Sequence, residues 1–279
     1  MEQNGGFSIK MLVEIFDVEH GACALATCDD QTRLMLDCGQ NGLTGWRPGN
    51  YLYDRDITTL DMLAVTNYDE DHVAGLPNLY DRNINIKWLL RNKSVTSHTI
   101  HELKSEDGMG AGIAKLVDAI DNVFTGDASV TPQPTFAGMK KQVFYNSYPT
   151  FEDENNLSMV VHLNCNGKGI MFPGDIERAG WLKLLEGENF RQALRDTTVL
   201  VASHHGRESG CCEEIFEYCK PFYVVISDKG YMYDTQKTIP FYRRFTKSGP
   251  FRNETRNVLT TRNDGLITFS FSPDSWGPF

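Results

Sequence analysis

Short apolar runs, each closed by a polar or acidic cluster, recur along this 279-residue chain. Residues 11–16 are apolar and β-prone and end at Asp17; residues 22–27 and 33–36 repeat the pattern, with Asp29-Asp30-Gln31 as the turn between them. The third run ends in Asp37-Cys38-Gly39, and the three together predict a β-meander. Met62-Leu63-Ala64-Val65 reads as a short buried strand leading into Thr66-Asn67-Tyr68-Asp69-Glu70-Asp71-His72, after which Val73-Ala74-Gly75-Leu76 opens a helix. Residues 86–90 read as a strand and 97–107 as a helix with Ser97 as N-cap. Residues 111–124 read as an amphipathic helix with Ile113, Leu116, Ile120 and Phe124 on one stripe, and 126–138 as a loop. The second half repeats strand-then-helix logic: strands over 158–163, 169–172, 198–202 and 222–226, helices over 178–185, 211–218 and 239–245. Two closing strands, 257–261 and 266–271, are joined by Asn263-Asp264-Gly265 and read as a hairpin. The expectation is a single α/β domain over 1–279, with two packed sheets, helices outside, and about 77–150 as a pocket-shaping insertion.

Composition narrows the class. Hydrophobic residues make up 41% and charged residues 23%, the mix of a packed globular protein. No run approaches the ~18 apolar residues of a membrane helix. Met1-Glu2-Gln3-Asn4-Gly5-Gly6 lacks the basic and apolar regions of a signal peptide, so a soluble, cytoplasmic protein is expected. The seven cysteines, with Cys211 and Cys212 adjacent and no C-x-x-C pair, suit reduced thiols and argue against a cysteine zinc cluster. The net charge of −10 argues against a long nucleic-acid track, because phosphate neutralisation calls for a basic surface. The densest basic stretch, Tyr242-Arg243-Arg244-Phe245-Thr246-Lys247, is modest. A nucleic-acid or nucleotide substrate would be held locally, or with the help of a protein partner in a larger complex.

Metal-type ligands gather where the apolar strands end: Asp69, Asp71 and His72 after the first, Asp175 in Pro173-Gly174-Asp175, and Ser203-His204-His205-Gly206 after another. Asn155-Asn156 offers amides at a fourth strand mouth. Carboxylate oxygens and neutral imidazoles are donors for Zn²⁺ or Mn²⁺. Were the segment extended, Asn67, Asp69 and Asp71 would share one side; the simpler reading is an acidic turn with Asp71 as N-cap. Gly108-x-Gly110-x-Gly112 gives little reason to expect a phosphate loop, since no strand precedes it.

These motifs, in this order, resemble the metallo-β-lactamase fold, and in particular the hydrolase domain of ComEC-type competence proteins. The resemblance rests on Asp17-Val18-Glu19-His20-Gly21-Ala22, Leu36-Asp37-Cys38-Gly39, Asn67 through Gly75, Asn155-Asn156-Leu157-Ser158, Pro173-Gly174-Asp175, His204-His205-Gly206-Arg207 and Thr261-Arg262-Asn263-Asp264-Gly265, and runs from about residue 11 to 271. It implies a four-layer αββα sandwich and a metal-dependent hydrolase, most simply a nuclease acting on phosphodiesters. Asn67, Asp69, Asp71, His72, Asn155, Asp175, His204 and His205 are the implied metal positions. Asp71, His205 and Asp37 are the implied catalytic residues, Asp37 orienting a ligand histidine, and Arg207 is the implied phosphate contact. Three departures stand out: Asn67 and Asp69 replace imidazoles, Asn155 stands near where relatives carry histidine, and His20 replaces glutamine. They imply one firmly held divalent metal and a weaker second, Mn²⁺ or Mg²⁺. A degenerate binding or regulatory subunit and a small-molecule phosphoesterase or lactonase are the alternative readings. His20 is expected at the rim, and His98, His101 and His162 in structural roles.

Overall fold

The computed structural model describes residues 10–106, 108–125, 132–229 and 235–279. Expectations for 1–6, 107, 126–131 and Gly230 lie outside the described residues.

Residues alternate strictly between two faces in the central strands, and this builds the layers. Val13, Ala26, Leu34 and Leu36 of one sheet face Val161, Ile170, Val199 and Val225 of another, closing a core between the sheets. Their neighbours Leu25, Met35 and Leu63 turn outward, onto Leu79, Ile100, Ile113 and Leu116 of the first helical layer. On the far side Val160, Met171, Leu200 and Val224 pack on Trp181, Phe190 and Tyr242. The result is helix, sheet, sheet, helix. Cys23, Cys28, Cys38 and Cys165 are buried free thiols in the strands.

One sheet runs in the order Trp276–Pro278, Ile267–Phe271, Met11–Ile15, Cys23–Cys28, Arg33–Cys38, Met62–Ala64, Leu89–Leu90. The other runs Val258–Thr260, Tyr223–Ile226, Thr197–Val201, Lys168–Phe172, Met159–Cys165, Met139–Tyr145. The opening meander is antiparallel, but Arg33–Cys38, Met62–Ala64 and Leu89–Leu90 are parallel to one another. So are the strands from Lys168–Phe172 to Val258–Thr260. Parallel strands send their following loops off a common edge, where ligand crevices form. The two edges are tied together, Met159 N donating to Thr66 O at 2.8 Å, and within the second sheet the neighbouring loops are joined by His204 N donating to Gly174 O at 3.1 Å.

Several elements differ from expectation. The closing strands are not a hairpin: Val258–Thr260 ends the second sheet, whereas Ile267–Phe271 pairs with Met11–Ile15 in the first. Met11, Val13 and Ile15 are buried on that strand, and its backbone groups need this second partner. Thr261–Asp264 is a helical turn pinned by Asp264 Oδ2, which accepts from Thr260 N at 2.9 Å. The helix expected from Ser97 spans Ser97–Leu103 and is capped by Thr96, whose Oγ1 accepts from Thr99 N at 3.1 Å. Residues 211–218 hold only the 3₁₀ turn Glu213–Glu217. Within 77–150, Ser97–Leu103 and Ala111–Asn122 cover the first sheet, and Met139–Tyr145 edges the second. Among the described residues no helix is long and apolar enough to cross a membrane.

Candidate metal centre

Asp37 closes strand Arg33–Cys38 in a left-handed conformation, φ 55°. Its buried carboxylate accepts from Thr66 N at 2.7 Å and Thr66 Oγ1 at 2.5 Å, and lies 3.0 Å from His72 Nδ1. His72 sits in the one-turn helix Glu70–Val73. With Nδ1 on Asp37, its other nitrogen, Nε2, stands 3.1 Å from Asp175 Oδ1. Asp175 follows strand Lys168–Phe172, its backbone N donating to Ser158 Oγ at 3.0 Å. His205 follows strand Thr197–Val201, and its Nε2 lies 3.4 Å from both Asp175 Oδ1 and Asp71 Oδ2. His204 and His205 have φ of 50° and 53° in succession. Such a backbone costs on the order of 1–3 kcal/mol per residue, which the surrounding structure must offset to aim these rings. Asp71 is set by close backbone approach: a Cβ on Gly21 or Gly39 would meet Asp71 O at 2.6 or 2.5 Å.

The donors fit a divalent cation. His72 Nε2 and His205 Nε2 are buried and make no hydrogen bond, although carboxylate oxygens lie at 3.1–3.4 Å. Nitrogen and oxygen ligand atoms thus converge without a hydrogen bond between them. The donor atoms of His72, Asp175 and His205 all lie within 4.8 Å of one another, as do those of His20, Asp71 and His205. Two imidazole nitrogens and carboxylate oxygens suit Zn²⁺ or Mn²⁺. The electrostatics call for positive charge here. Burial alone would lower the His205 pKa, but Asp175 and Asp71 override it and push it up to about 9. Burial likewise opposes the His72 cation, yet Asp175 and Asp37 hold its pKa well above the usual value. Burial would raise the Asp175 pKa, but His205 and His72 hold it well below the carboxylate range.

Other anticipated positions are engaged elsewhere. Asn67 Nδ2 donates to Ser158 Oγ at 3.1 Å and Asn155 Oδ1 at 3.4 Å, while Asn67 Oδ1 accepts from Asp69 N at 3.0 Å. Asp69 pairs with the Lys104 ammonium, which also donates to Glu154 Oε1 at 2.8 Å. Asn155 Nδ2 donates to Glu177 Oε1 at 3.3 Å. His204 Nδ1 lies 3.1 Å from Ser209 Oγ and 3.3 Å from Glu177 Oε1. Asn67, Asp69, Asn155 and His204 therefore form an adjoining polar network. The one-sided extended segment is not observed, because the chain turns helical at Glu70; Asp69, not Asp71, is the N-cap residue, without a side-chain cap. Glu70 points away and accepts from Gly112 N at 2.8 Å and Ile113 N at 3.0 Å. The glycine run before Ala111–Asn122 thus receives the protein's own carboxylate at the helix N-terminus.

Two residues exceed the sequence reading. His20, expected at the rim, has its ring centroid 4.4 Å from that of His205 and its Nε2 3.0 Å from Arg207 Nη2. Burial and His205 lower its pKa to about 3, so it is a neutral imidazole. Lys104 belongs to no motif, and only its place in space ties it to Asp69.

Comparisons with known proteins agree with this architecture. No protein-family model matches the chain. It is 24% identical over 224 residues to ComE operon protein 3 of Bacillus subtilis (strain 168), which covers 79% of this chain. The chain spans about a quarter, 26%, of that relative's length. A mutant form of the CmlA beta-hydroxylase superposes with a TM-score of 0.50 at 10% identity, covering 94% of this chain and 54% of its own. A candidate zinc-dependent hydrolase of the metallo-β-lactamase superfamily from Thermotoga maritima gives a TM-score of 0.43 at 10% identity, covering 89% of this chain and 97% of its own. The chain is a four-layer αββα sandwich, the architecture that the metallo-β-lactamase resemblance implies, and in sequence it resembles the ComEC-type competence proteins.

Proposed function

We propose that this protein is a metal-dependent hydrolase of phosphodiester bonds, with nucleic acid or a nucleotide as substrate. The observation that carries the reading is the pair of buried, unbonded Nε2 atoms of His72 and His205 facing the carboxylates of Asp175 and Asp71. His72, Asp175 and His205 would hold the cation, with Asp71 beside them. A bound divalent ion supplies Lewis acidity and lowers the pKa of a water from about 15.7 toward about 7. Asp37 fixes the proton of His72 on Nδ1 and leaves Nε2 as a lone-pair donor. Asp71, the more open of the two carboxylates, is placed to accept a proton from a water and orient it. Arg207, at hydrogen-bonding distance from His20, brings a guanidinium to the rim, where a phosphate oxygen would gain a charge-assisted contact.

The test is hydrolysis of single- and double-stranded DNA, RNA and small cyclic nucleotides with Mn²⁺, Mg²⁺ or Zn²⁺. Metal-dependent cleavage lost in Asp71→Ala and His205→Ala supports the reading; cleavage surviving both rejects it. A binding or regulatory subunit is the second reading, favoured by the ion-paired Asp69 and the amide-bonded Asn67 and Asn155. Elemental analysis separates the two, since a subunit of that kind would retain clearly substoichiometric metal after equilibration with Mn²⁺ or Zn²⁺.

A further inference from the structure

Resting on the metal-centre reading, the geometry points to Lys104 as a built-in cation that limits the site to one divalent ion: we propose that its ammonium stands where a second metal would otherwise be bound. The centre divides into two halves. Asp71, His72, Asp175 and His205 bring their ligand atoms together, with the Nε2 atoms of both histidines making no hydrogen bond. The other half, reached through Asn67, has the opposite character. Asn67 directs its NH₂ toward Ser158 and Asn155, and its oxygen is occupied by Asp69 N. The carboxylate of Asp69 is turned to Lys104. Glu154 approaches the same ammonium from the loop before strand Met159–Cys165, at 2.8 Å.

Lys104 is held for this purpose. Its side chain is only 5% exposed, unusual for lysine, and it follows the last turn of helix Ser97–Leu103, its backbone N donating to Ile100 O at 3.0 Å. A buried ammonium needs counter-charges, and here it has two. One cation between two carboxylates leaves one negative charge. Removal of the ammonium leaves two, which is what a divalent ion neutralises. Oxygen donors from Asp69 and Glu154 would suit Mn²⁺ or Mg²⁺ better than Zn²⁺.

The experiment counts Mn²⁺ by elemental analysis and by isothermal titration on the full chain, independently of turnover. Wild type should bind one ion per chain, Lys104→Arg one, and Lys104→Ala two, the second more weakly. Circular dichroism and thermal melts check that each variant is folded. If Lys104→Ala does not fold, Lys104→Met, which keeps the apolar stem, takes its place. Two ions in wild type, or one ion in a folded Lys104→Ala or Lys104→Met protein, would overturn the assignment while leaving the metal-centre reading intact. No ion in wild type would overturn both.

Discussion

Replacing Asp37 by asparagine separates the orienting role of this carboxylate from its structural role. The carboxylate serves Thr66 N, Thr66 Oγ1 and His72 Nδ1 at once. An amide of the same shape keeps one oxygen for Thr66 N, and asparagine tolerates the left-handed backbone that alanine would strain by roughly 1–2 kcal/mol. Its NH₂ then faces His72 Nδ1, which must accept. The imidazole proton moves to Nε2, the atom that stands 3.1 Å from Asp175. A cation must then displace a proton from Nε2 that the neutral wild-type ring carries on Nδ1 instead. Loss of such an orienting partner typically weakens metal affinity about 10- to 100-fold, or roughly 1.4–2.7 kcal/mol. Without metal, the exchange of one buried charged acceptor should cost about 1–3 kcal/mol of stability. Titration calorimetry with Mn²⁺ measures the first term, and urea denaturation in chelator the second. An Asp37→Asn protein that binds Mn²⁺ within about twofold of wild type would refute the tautomer argument.

Two further outcomes follow from contacts away from the metal. Glu70→Ala removes the acceptor at the start of Ala111–Asn122, where Gly112 N and Ile113 N both donate; we expect a stability loss of about 1–2 kcal/mol in urea with Mn²⁺ affinity preserved. His162 is fully buried against Gln142 Oε1, and burial lowers its pKa from 6.5 to about 4. Because the folded-state value is depressed, the neutral ring's contribution is complete above pH 6.5 and is lost as pH falls toward about 4. Its magnitude is on the order of 3 kcal/mol, and His162→Gln should flatten stability over that window in urea titrations.

What the sequence reveals here is what local physics encodes. Apolar runs such as those ending at Asp37, Asp175 and His205 show both a buried strand and the polar group at its end. Parallel strands do the rest, since in each of the two sheets they deliver such ends to a common edge. Met139–Tyr145 escapes notice because it is an edge strand carrying Lys140, Lys141 and Gln142, with little alternation to read. The hairpin expected from the Asn263-Asp264-Gly265 turn fails because long-range pairing with Met11–Ile15 outweighs a local turn preference. At the site, Asp71 and His72 are visible as a motif. Which histidine of His204 and His205 faces the donors is set by two successive left-handed residues, which nothing local announces. Lys104 is invisible for a simpler reason: 35 residues separate it from Asp69, and no spacing rule joins them.

The account depends on His72, Asp175 and His205 meeting around one cation, with Asp71 alongside. A crystal structure of the Mn²⁺-loaded protein, with anomalous scattering at the manganese edge, tests this most directly. The account predicts one strong peak about 2.0–2.3 Å from His72 Nε2, His205 Nε2 and an Asp175 oxygen. A peak between Asp69 and Glu154, or no peak while the two imidazoles turn to other partners, would contradict it.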